Sequence, residues 1–218
     1  MYFDAHTHSS LIIPNTVSVF NAGMASASAG FFSSGIHPFD ENLFRFSKQE
    51  LASIAIAATN CLAIGETGLD KNSPVSMRLQ QQVFEEHLEV AESLKLPVIL
   101  HCVKSWNEMR GIRRKMTLSH SWIFHGFRKT GLLDSVLQEE VMISIGAAVC
   151  YDTKLRQAIP AIPDHLLLLE TDDSDRYSIN DIYEQTAALR GISGQELKQQ
   201  IEKNFRTAFS RYKTVPSL

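Results

Sequence analysis

Six imidazole and carboxylate side chains in this sequence each lie at, or directly after, the end of a short apolar segment. In chain order they are His6, His8, Glu66, His101, His125 and Asp172. Histidine and carboxylate ligands without thiolate suit Zn²⁺, Mn²⁺ or a similar divalent ion, with Mg²⁺ left open. Two such ions held side by side activate water for attack on phosphorus or on a carbonyl carbon. The six residues therefore predict a hydrolase with two divalent metal ions.

The spacing of these residues assigns each a different task. His6 and His8 are two residues apart on a predicted strand, so that both imidazoles project to the same side, where one ion can take them. Glu66 follows Gly65 and is the expected bridge between the two ions. Asp172 is expected to act as both ligand and proton acceptor, because a carboxylate in such a place is costly unless a cation pairs with it. Glu66 and Asp172 are accordingly the predicted catalytic residues.

Each histidine taken singly is more simply explained as a core or surface residue. The repeated pattern of an apolar segment followed by a ligand argues against that explanation for the whole set. In a barrel with strands in chain order, His6, His8 and Asp172 are predicted to hold one ion, and His101 and His125 the other. Glu66 is predicted to span both ions.

The elements that must carry these residues alternate between strands and helices. Three further apolar segments, 16–20, 30–36 and 141–145, bring the predicted strands to eight. Helical patterns cover about 43–58, 75–94, 105–116, 131–139 and 179–190, and the capping box Ser193-Gly194-Gln195-Glu196 opens a last helix. His87 lies among glutamates in the second pattern and is expected to be solvated. Strand and helix alternation with eight strands predicts an α/β fold, a TIM-like (β/α)8 barrel. The barrel is shortened in its N-terminal part, because residues 9–35 leave little room for a helix.

Composition limits the possible classes of protein. The chain has 218 residues, 44% of them hydrophobic and 21% charged, and one domain over residues 1–218 is expected. A net charge of −3 excludes a global basic surface for nucleic acid. Three cysteines without a paired motif indicate no disulfide framework and a reducing, cytoplasmic location. We find no membrane-spanning segment and no sign of an obligate protein partner.

Six motifs in order resemble those of the TatD family of metal-dependent deoxyribonucleases, in the amidohydrolase superfamily. The motifs are Asp4-Ala5-His6-Thr7-His8, Gly35-Ile36-His37-Pro38, Ala63-Ile64-Gly65-Glu66-Thr67-Gly68-Leu69-Asp70, Leu96-Pro97-Val98-Ile99-Leu100-His101-Cys102, His125-Gly126-Phe127 and Leu168-Leu169-Glu170-Thr171-Asp172. The resemblance covers essentially the whole chain. It implies a TIM-like barrel that carries the histidine pair on strand one, the bridging carboxylate on strand four, histidines on strands five and six, and the aspartate on strand eight.

The chain departs from the family pattern in two places where substrate is expected. Val103-Lys104 follow His101-Cys102, where the family usually has an arginine, and Asp173-Ser174-Asp175 follow Asp172, where it usually has a small residue and then proline. An added carboxylate at Asp173 would repel a phosphate unless it points away. The predicted substrate-binding residues are His37, Lys104, Arg128 and Lys129.

The leading hypothesis from the sequence is a TatD-like hydrolase that cleaves phosphodiester bonds of DNA or of a related small phosphoester. An amidohydrolase-type deacylase acting on a C–N or C–O bond is the alternative within enzymes, because the same metal pair serves either electrophile. A metal-binding protein that has lost catalysis and serves as a platform for a partner is the alternative outside enzymes.

Overall fold

Eight β-strands, β1 to β8, follow one another in chain order in one sheet of the computed structural model, which describes residues 1–116 and 119–213. The strands are β1 (Tyr2–Thr7), β2 (Thr16–Asn21), β3 (Phe31–Ser34), β4 (Cys61–Asp70), β5 (Val98–Val103), β6 (Trp122–Phe124), β7 (Met142–Ile145) and β8 (Leu167–Leu169). The pairs β1/β2, β3/β4, β4/β5, β6/β7 and β7/β8 are parallel. This is the predicted TIM-like (β/α)8 arrangement.

Seven α-helices lie between or after the later strands in the described part of the chain. They are α1 (Lys48–Ala57), α2 (Met77–Leu94), α3 (Trp106–Lys115), α4 (Leu133–Leu137), α5 (Thr153–Ala158), α6 (Ile179–Arg190) and α7 (Gly194–Ala208). The predicted capping box at the start of α7 is present, because Ser193 N donates to Glu196 Oε2 and Glu196 N donates to Ser193 Oγ. The sequence did not predict α5, which is too short to show a helical period. None of the helices described has the length and apolar character needed to cross a membrane.

The N-terminal shortening of the barrel is confirmed. Residues 8–15 join β1 to β2 and residues 22–30 join β2 to β3, all of them described, and neither segment contains a helix. The first of these segments exposes Leu11 and Ile12, which are 75% and 80% accessible to solvent. The connections from β1 to β2 and from β2 to β3 are therefore loops, whereas the later connections contain helices.

The described chain divides into two compact units. The first unit comprises Met1–Phe20 and Ile123–Ala208, and the second comprises Asn21–Trp122 and the end of the chain from Phe209. Whether residues 1–218 act as a single domain stays a prediction.

Strand β1 in the first unit is anchored by the helices that follow β8. The ring of Phe3 packs against Phe205 of α7, with 4.9 Å between the ring centroids. The hydroxyl of Tyr183 in α6 accepts a hydrogen bond from Phe3 N and donates one to Phe3 O, each at 3.0 Å. These contacts fix the strand that carries His6.

Helix α2 in the second unit corrects the expectation that His87 is solvated. The side chain is fully buried, with Nδ1 2.7 Å from Val83 O, and Nε2 accepts a hydrogen bond from Ile36 N at 3.1 Å. His87 lies four residues after Val83 and three after Phe84, both of which are buried, and therefore belongs to the apolar stripe of the helix. Burial lowers the pKa of His87 to about 4. The contact with Ile36 holds the backbone directly before His37.

Candidate metal centre

The end of β1 and the segment after β8 bring three predicted ligands together in the first unit. Asp172 N donates to His6 O and His8 N donates to Asp172 O, both at 2.9 Å, so that the backbone of Asp172 lies between the two histidines. Asp172 Oδ1 is 3.7 Å from His6 Nε2 and 3.5 Å from His8 Nε2. Its backbone has a φ of 54°, in the left-handed region that aspartate and asparagine tolerate better than most residues.

A fourth predicted ligand, His125, faces the other oxygen of the same aspartate. His125 directly follows β6, and its Nδ1 is 4.0 Å from Asp172 Oδ2 and 3.8 Å from Glu170 Oε1. Its ring lies 4.5 Å from that of His6, centroid to centroid. We call His6, His8, His125, Glu170 and Asp172 the first cluster. The carboxylate of Asp172 thus has a histidine on each side.

Glu170 is a member of this cluster that was not predicted from the sequence. Its side chain is fully buried, and Gly126 N donates a short hydrogen bond to its Oε1. Burial raises the pKa of this carboxyl, and the charge of His125 opposes the rise. Glu170 directly follows β8, and a position directly after an apolar segment is what marked the other predicted ligands. The same pattern could therefore have identified it.

Asp4 of β1 binds the segment that carries two carboxylates of the first cluster. The carboxylate is fully buried and accepts hydrogen bonds from Thr171 N at 2.9 Å and Thr171 Oγ1 at 2.7 Å. Burial raises the pKa of Asp4 to about 7. Because Thr171 is adjacent to both Glu170 and Asp172, this pair of hydrogen bonds fixes the segment that presents the two carboxylates.

The second unit holds a group of potential metal ligands on β4, β5 and the segment after β3. His101 Nδ1 is 2.8 Å from Glu66 Oε1 and 2.9 Å from His37 Nε2, and His37 Nε2 is 3.3 Å from Glu66 Oε1. His37 was expected to bind substrate, yet its imidazole lies where a third ligand would lie. Asn21 Nδ2 donates to the other oxygen of Glu66 at 3.1 Å. The carboxylate of Glu66 is therefore held at both oxygens.

Asp70 orients His101 from outside this group. Asp70 Oδ2 is 2.9 Å from His101 Nε2, and its Oδ1 accepts a hydrogen bond from Asn72 N at 2.7 Å. Because an ionised carboxylate can only accept, it holds Nε2 as the donor and turns Nδ1 towards Glu66. We call His37, Glu66, Asp70 and His101 the second cluster. Asp70 was not predicted as a site residue, although it stands four residues after Glu66 on the same strand face.

Strands β4 and β5 continue further along the chain than the sequence predicted. Parallel pairing of β4 with β5 continues from Thr67 and Leu100 to Asp70 and Val103, so that Glu66 and His101 lie within strands. Close approach at this point requires Gly68, because a Cβ there would lie 2.0 Å from His101 O.

An open cleft adjoins the first cluster. It is lined by Gly126, Arg128, Gly146, Ala147, Ala148, Tyr151, Glu170, Thr171, Asp172, Asp173 and Ser174. Asp173 therefore lies beside the ligands, where its charge would act on a bound phosphate. That charge is partly offset by Arg128, which also ion-pairs with Asp152 at 3.4 Å.

Lys104 and Lys129, which were also predicted to bind substrate, are exposed on loops. Lys104 directly follows β5, and its Nζ donates to Asn72 Oδ1 at 3.0 Å. Lys129 precedes a short 3-10 helix, Thr130–Leu132, and does not line the cleft. Substrate binding by His37, Lys104, Arg128 and Lys129 stays a prediction.

The donor chemistry of both clusters fits divalent metal ions. Each of the sets His6/His8/Asp172, His125/Glu170/Asp172 and His37/Glu66/His101 has ligand atoms within 4.8 Å of one another. Glu66 and Glu170 are 3% and 0% exposed. Burying a carboxylate is unfavourable without positive charge nearby, and mixed imidazole and carboxylate ligands bind Zn²⁺ or Mn²⁺. Metal binding by these residues, and the sharing of Glu66 by two ions, stay predictions.

Parallel strands in chain order with histidines and carboxylates at their ends define a (β/α)8 protein with a candidate metal centre. The family described as TatD related DNase matches residues 4–210, and the chain belongs to this family. The family predicted from the sequence motifs is thus confirmed.

Curated relatives agree with this assignment. The protein named 3'-5' ssDNA/RNA exonuclease TatD of Dickeya dadantii (strain 3937) is 30% identical over 203 residues, which cover 80% of this chain and 75% of that protein. The uncharacterized metal-dependent hydrolase YcfH of Escherichia coli (strain K12) is 28% identical over 82% of this chain and 73% of its own length.

Solved structures confirm the predicted fold. The crystal structure of YJJV, a TatD homologue from Escherichia coli K12, matches with a TM-score of 0.71 and 24% identity over 85% of this chain and 77% of that one. A TatD family hydrolase from Entamoeba histolytica matches with a TM-score of 0.69 and 18% identity, over 82% of this chain and 74% of that one.

Proposed function

We propose that this chain hydrolyses phosphodiester bonds of single-stranded nucleic acid with divalent metal ions held by its two clusters. Its class, a metal-dependent hydrolase of the nuclease type, follows from the family to which it belongs. The single observation that carries the proposal is the placement of Asp172, with His6 and His8 near one carboxylate oxygen and His125 near the other. The relative from Dickeya dadantii is named an exonuclease of single-stranded DNA and RNA, and this supports the substrate class.

The residues of the two clusters have two roles, which are to hold ions and to accept a proton. His6, His8 and His125 would bind through imidazole nitrogens in the first cluster, and His37 and His101 in the second. When bound, divalent ions supply an activated water and stabilise negative charge on the phosphorus centre. Asp172 accepts the proton released during attack, because it is the partly exposed carboxylate of the first cluster and lines the cleft.

The basic residues would hold the phosphates that are not cleaved. Arg128 lines the cleft, and Lys129 follows it in sequence. A guanidinium pairs with a phosphate through two hydrogen bonds, and each lysine adds a point charge. These cations would counter the repulsion from Asp173 as a strand runs past the first cluster.

The test compares two substrates after both basic residues are replaced. In the variant with Arg128→Gln and Lys129→Gln, KM should rise far more for a short single-stranded oligonucleotide than for a small chromogenic phosphodiester. The salt dependence of oligonucleotide binding should become flatter, by about 0.7 in slope for each phosphate that the variant no longer neutralises. A matched control replaces Lys203 and Arg206 of α7, which do not line the cleft, by glutamine and should leave both values unchanged.

Each other outcome identifies an alternative. Equal changes for both substrates would count against nucleic acid as the ligand. Turnover of amides or lactones, but not of phosphodiesters, by protein reloaded with Mn²⁺ or Zn²⁺ would favour the deacylase. Tight metal binding without turnover of any substrate would favour the non-catalytic platform.

A further inference from the structure

Two tyrosines form a stacked pair in the first unit. The rings of Tyr151 and Tyr177 have centroids 6.1 Å apart and planes inclined by 26°. Tyr151 is 54% exposed. The pair therefore presents aromatic surface to solvent.

Two arginines flank these rings. The guanidinium carbon of Arg128 lies 5.6 Å from the centroid of Tyr151, and that of Arg176 lies 5.1 Å from the centroid of Tyr177. Both distances are within the range of cation–π attraction. Aromatic rings bordered by cationic groups are the combination that single-stranded nucleic acids bind.

Short capped elements hold both tyrosines in place. Tyr151 N donates to Ala148 O at 3.1 Å, and the next residue, Asp152, caps α5 by accepting from two backbone N–H groups. Tyr177 N donates to Ser174 Oγ at 3.1 Å, directly before the capping box of α6. Rigid aromatic surface loses little conformational entropy when a ligand stacks on it.

The pair adjoins the first cluster. Tyr151 lines the same cleft as Glu170 and Asp172, and Ser174, which anchors Tyr177, lines it too. The cleft carries the carboxylates of Glu170, Asp172 and Asp173 and a single cationic residue among its lining residues, Arg128. These three carboxylates repel a phosphate that no cation offsets, whereas a neutral base meets no such penalty.

We infer that Tyr151 and Tyr177 form a stacking subsite for an unpaired base of the substrate strand, beside the phosphodiester that the first cluster cleaves. The inference rests on the proposed function and extends it by naming the part of the substrate that is recognised, an unpaired base. A base in a duplex is covered by its neighbours and paired, so its face reaches the rings only after fraying. The subsite thus selects single strands without reading their sequence.

The experiment measures kcat/KM in Mn²⁺ buffer for a short oligothymidylate and for matched strands in which one residue near the 3' end lacks its base. Moving the abasic residue among the last positions locates the base that stacks. For the wild-type chain, kcat/KM should be roughly ten-fold higher on the intact strand than on the abasic strand that lacks the stacking base. Tyr151→Ala should lower kcat/KM roughly ten-fold on the intact strand and leave that abasic strand unchanged.

Two further variants separate stacking from loss of structure. Tyr151→Phe keeps the ring and should retain the preference for the intact strand. Phe44 is a matched control, since it is 66% exposed, has the Arg45 guanidinium carbon 5.1 Å from its ring and does not line the cleft. Phe44→Ala should behave as the wild type does.

The remaining outcomes overturn either the inference or its basis. If Tyr151→Ala lowers kcat/KM equally on intact and abasic strands, or if the wild type does not distinguish them, the stacking subsite is refuted while the nuclease stands. If the wild type cleaves no oligonucleotide but hydrolyses another substrate, the proposed function fails and the subsite fails with it.

Discussion

The two clusters of histidines and carboxylates differ in how their donors are held. In the second cluster the donors touch one another, with His101 2.8 Å from Glu66 and 2.9 Å from Asp70. In the first cluster the nitrogens of His6, His8 and His125 stand 3.5 to 4.0 Å from the oxygens of Asp172. In the second cluster the ligand atoms are in direct contact and Asp70 is hydrogen-bonded to His101, whereas the first cluster leaves gaps of the size that a shared ion closes.

The difference follows from the backbone that supports each cluster. Glu66 and Asp70 stand on β4 beside β5, so that strand pairing sets their distances to His101. Asp172 stands beyond β8, and its two backbone hydrogen bonds to His6 and His8 fix its position but not its side chain. A metal ion should therefore order the first cluster more than the second.

The largest expected effect is from Asp172→Asn. The amide can neither accept the proton nor neutralise the ions, so turnover should fall by about 10³-fold, within the range for loss of a general base. Asparagine tolerates the left-handed backbone at this position, so the fold should persist. The measurement is kcat on a phosphodiester, with thermal unfolding to check the fold.

The matched control for this change is Asp173→Asn, which removes the same charge one residue later. It should retain activity, because Asp173 lines the cleft but belongs to none of the ligand sets in the described chain. Near-normal activity of Asp172→Asn would remove this residue from the mechanism.

The next effect is the pH dependence of stability that comes from His87, which holds the backbone directly before His37 of the second cluster. Burial lowers the pKa of His87 to about 4 from the ordinary 6.5, so the unfolded chain binds a proton that the folded chain refuses between these values. This group makes the free energy of unfolding fall by about 3 kcal/mol as pH drops through that window. Urea unfolding at several pH values should show that the free energy of unfolding depends less on pH in His87→Gln than in the wild type. Parallel curves for the two proteins would contradict the assignment.

A smaller effect is expected from Asp70→Asn. The amide NH₂ can donate to His101 Nε2, where the carboxylate accepted, and so favours a proton on the nitrogen that faces Glu66. The dissociation constant for Mn²⁺ or Zn²⁺ should rise by about 10- to 100-fold, as for other partners that orient a ligating histidine. Metal titration of the purified protein measures this directly, without any substrate.

The control for Asp70 is a second histidine and carboxylate pair in the same unit. Glu92 Oε2 lies 2.9 Å from His120 Nδ1, and neither residue belongs to a ligand set in the described chain. Glu92→Gln should leave metal affinity unchanged. If both variants weaken metal binding alike, the role given to Asp70 in orienting His101 is wrong.

The smallest effect is expected from Tyr183→Phe, which removes the hydroxyl that anchors β1 at Phe3. Loss of these hydrogen bonds should lower the free energy of unfolding by about 1 kcal/mol. Metal affinity should stay unchanged, because β1 remains paired with β2 and with Asp172. Denaturant unfolding and metal titration check both parts, and a loss of metal binding would show that the first cluster depends on this anchor.

The sequence by itself determined the order of the strands, the fold and the family. Apolar segments followed by histidine or carboxylate predicted the alternation of strands and helices, because periodicity is a local property of the chain. The same local pattern placed His6 and His8 on one side of β1. The prediction for His87 was wrong, since glutamates next to it in sequence outweighed its place in the helical stripe.

Only the tertiary structure decided which distant side chains meet. The pairing of Asp70 with His101, the two hydrogen bonds from Thr171 to Asp4, and the stacking of Tyr151 on Tyr177 join residues from different elements. Each contact depends on strand register and on where a loop ends, and a period of two or 3.6 residues carries no information about either. The residues that orient a ligand and those that would receive a base therefore emerge from packing, whereas the predicted ligands emerge from the sequence.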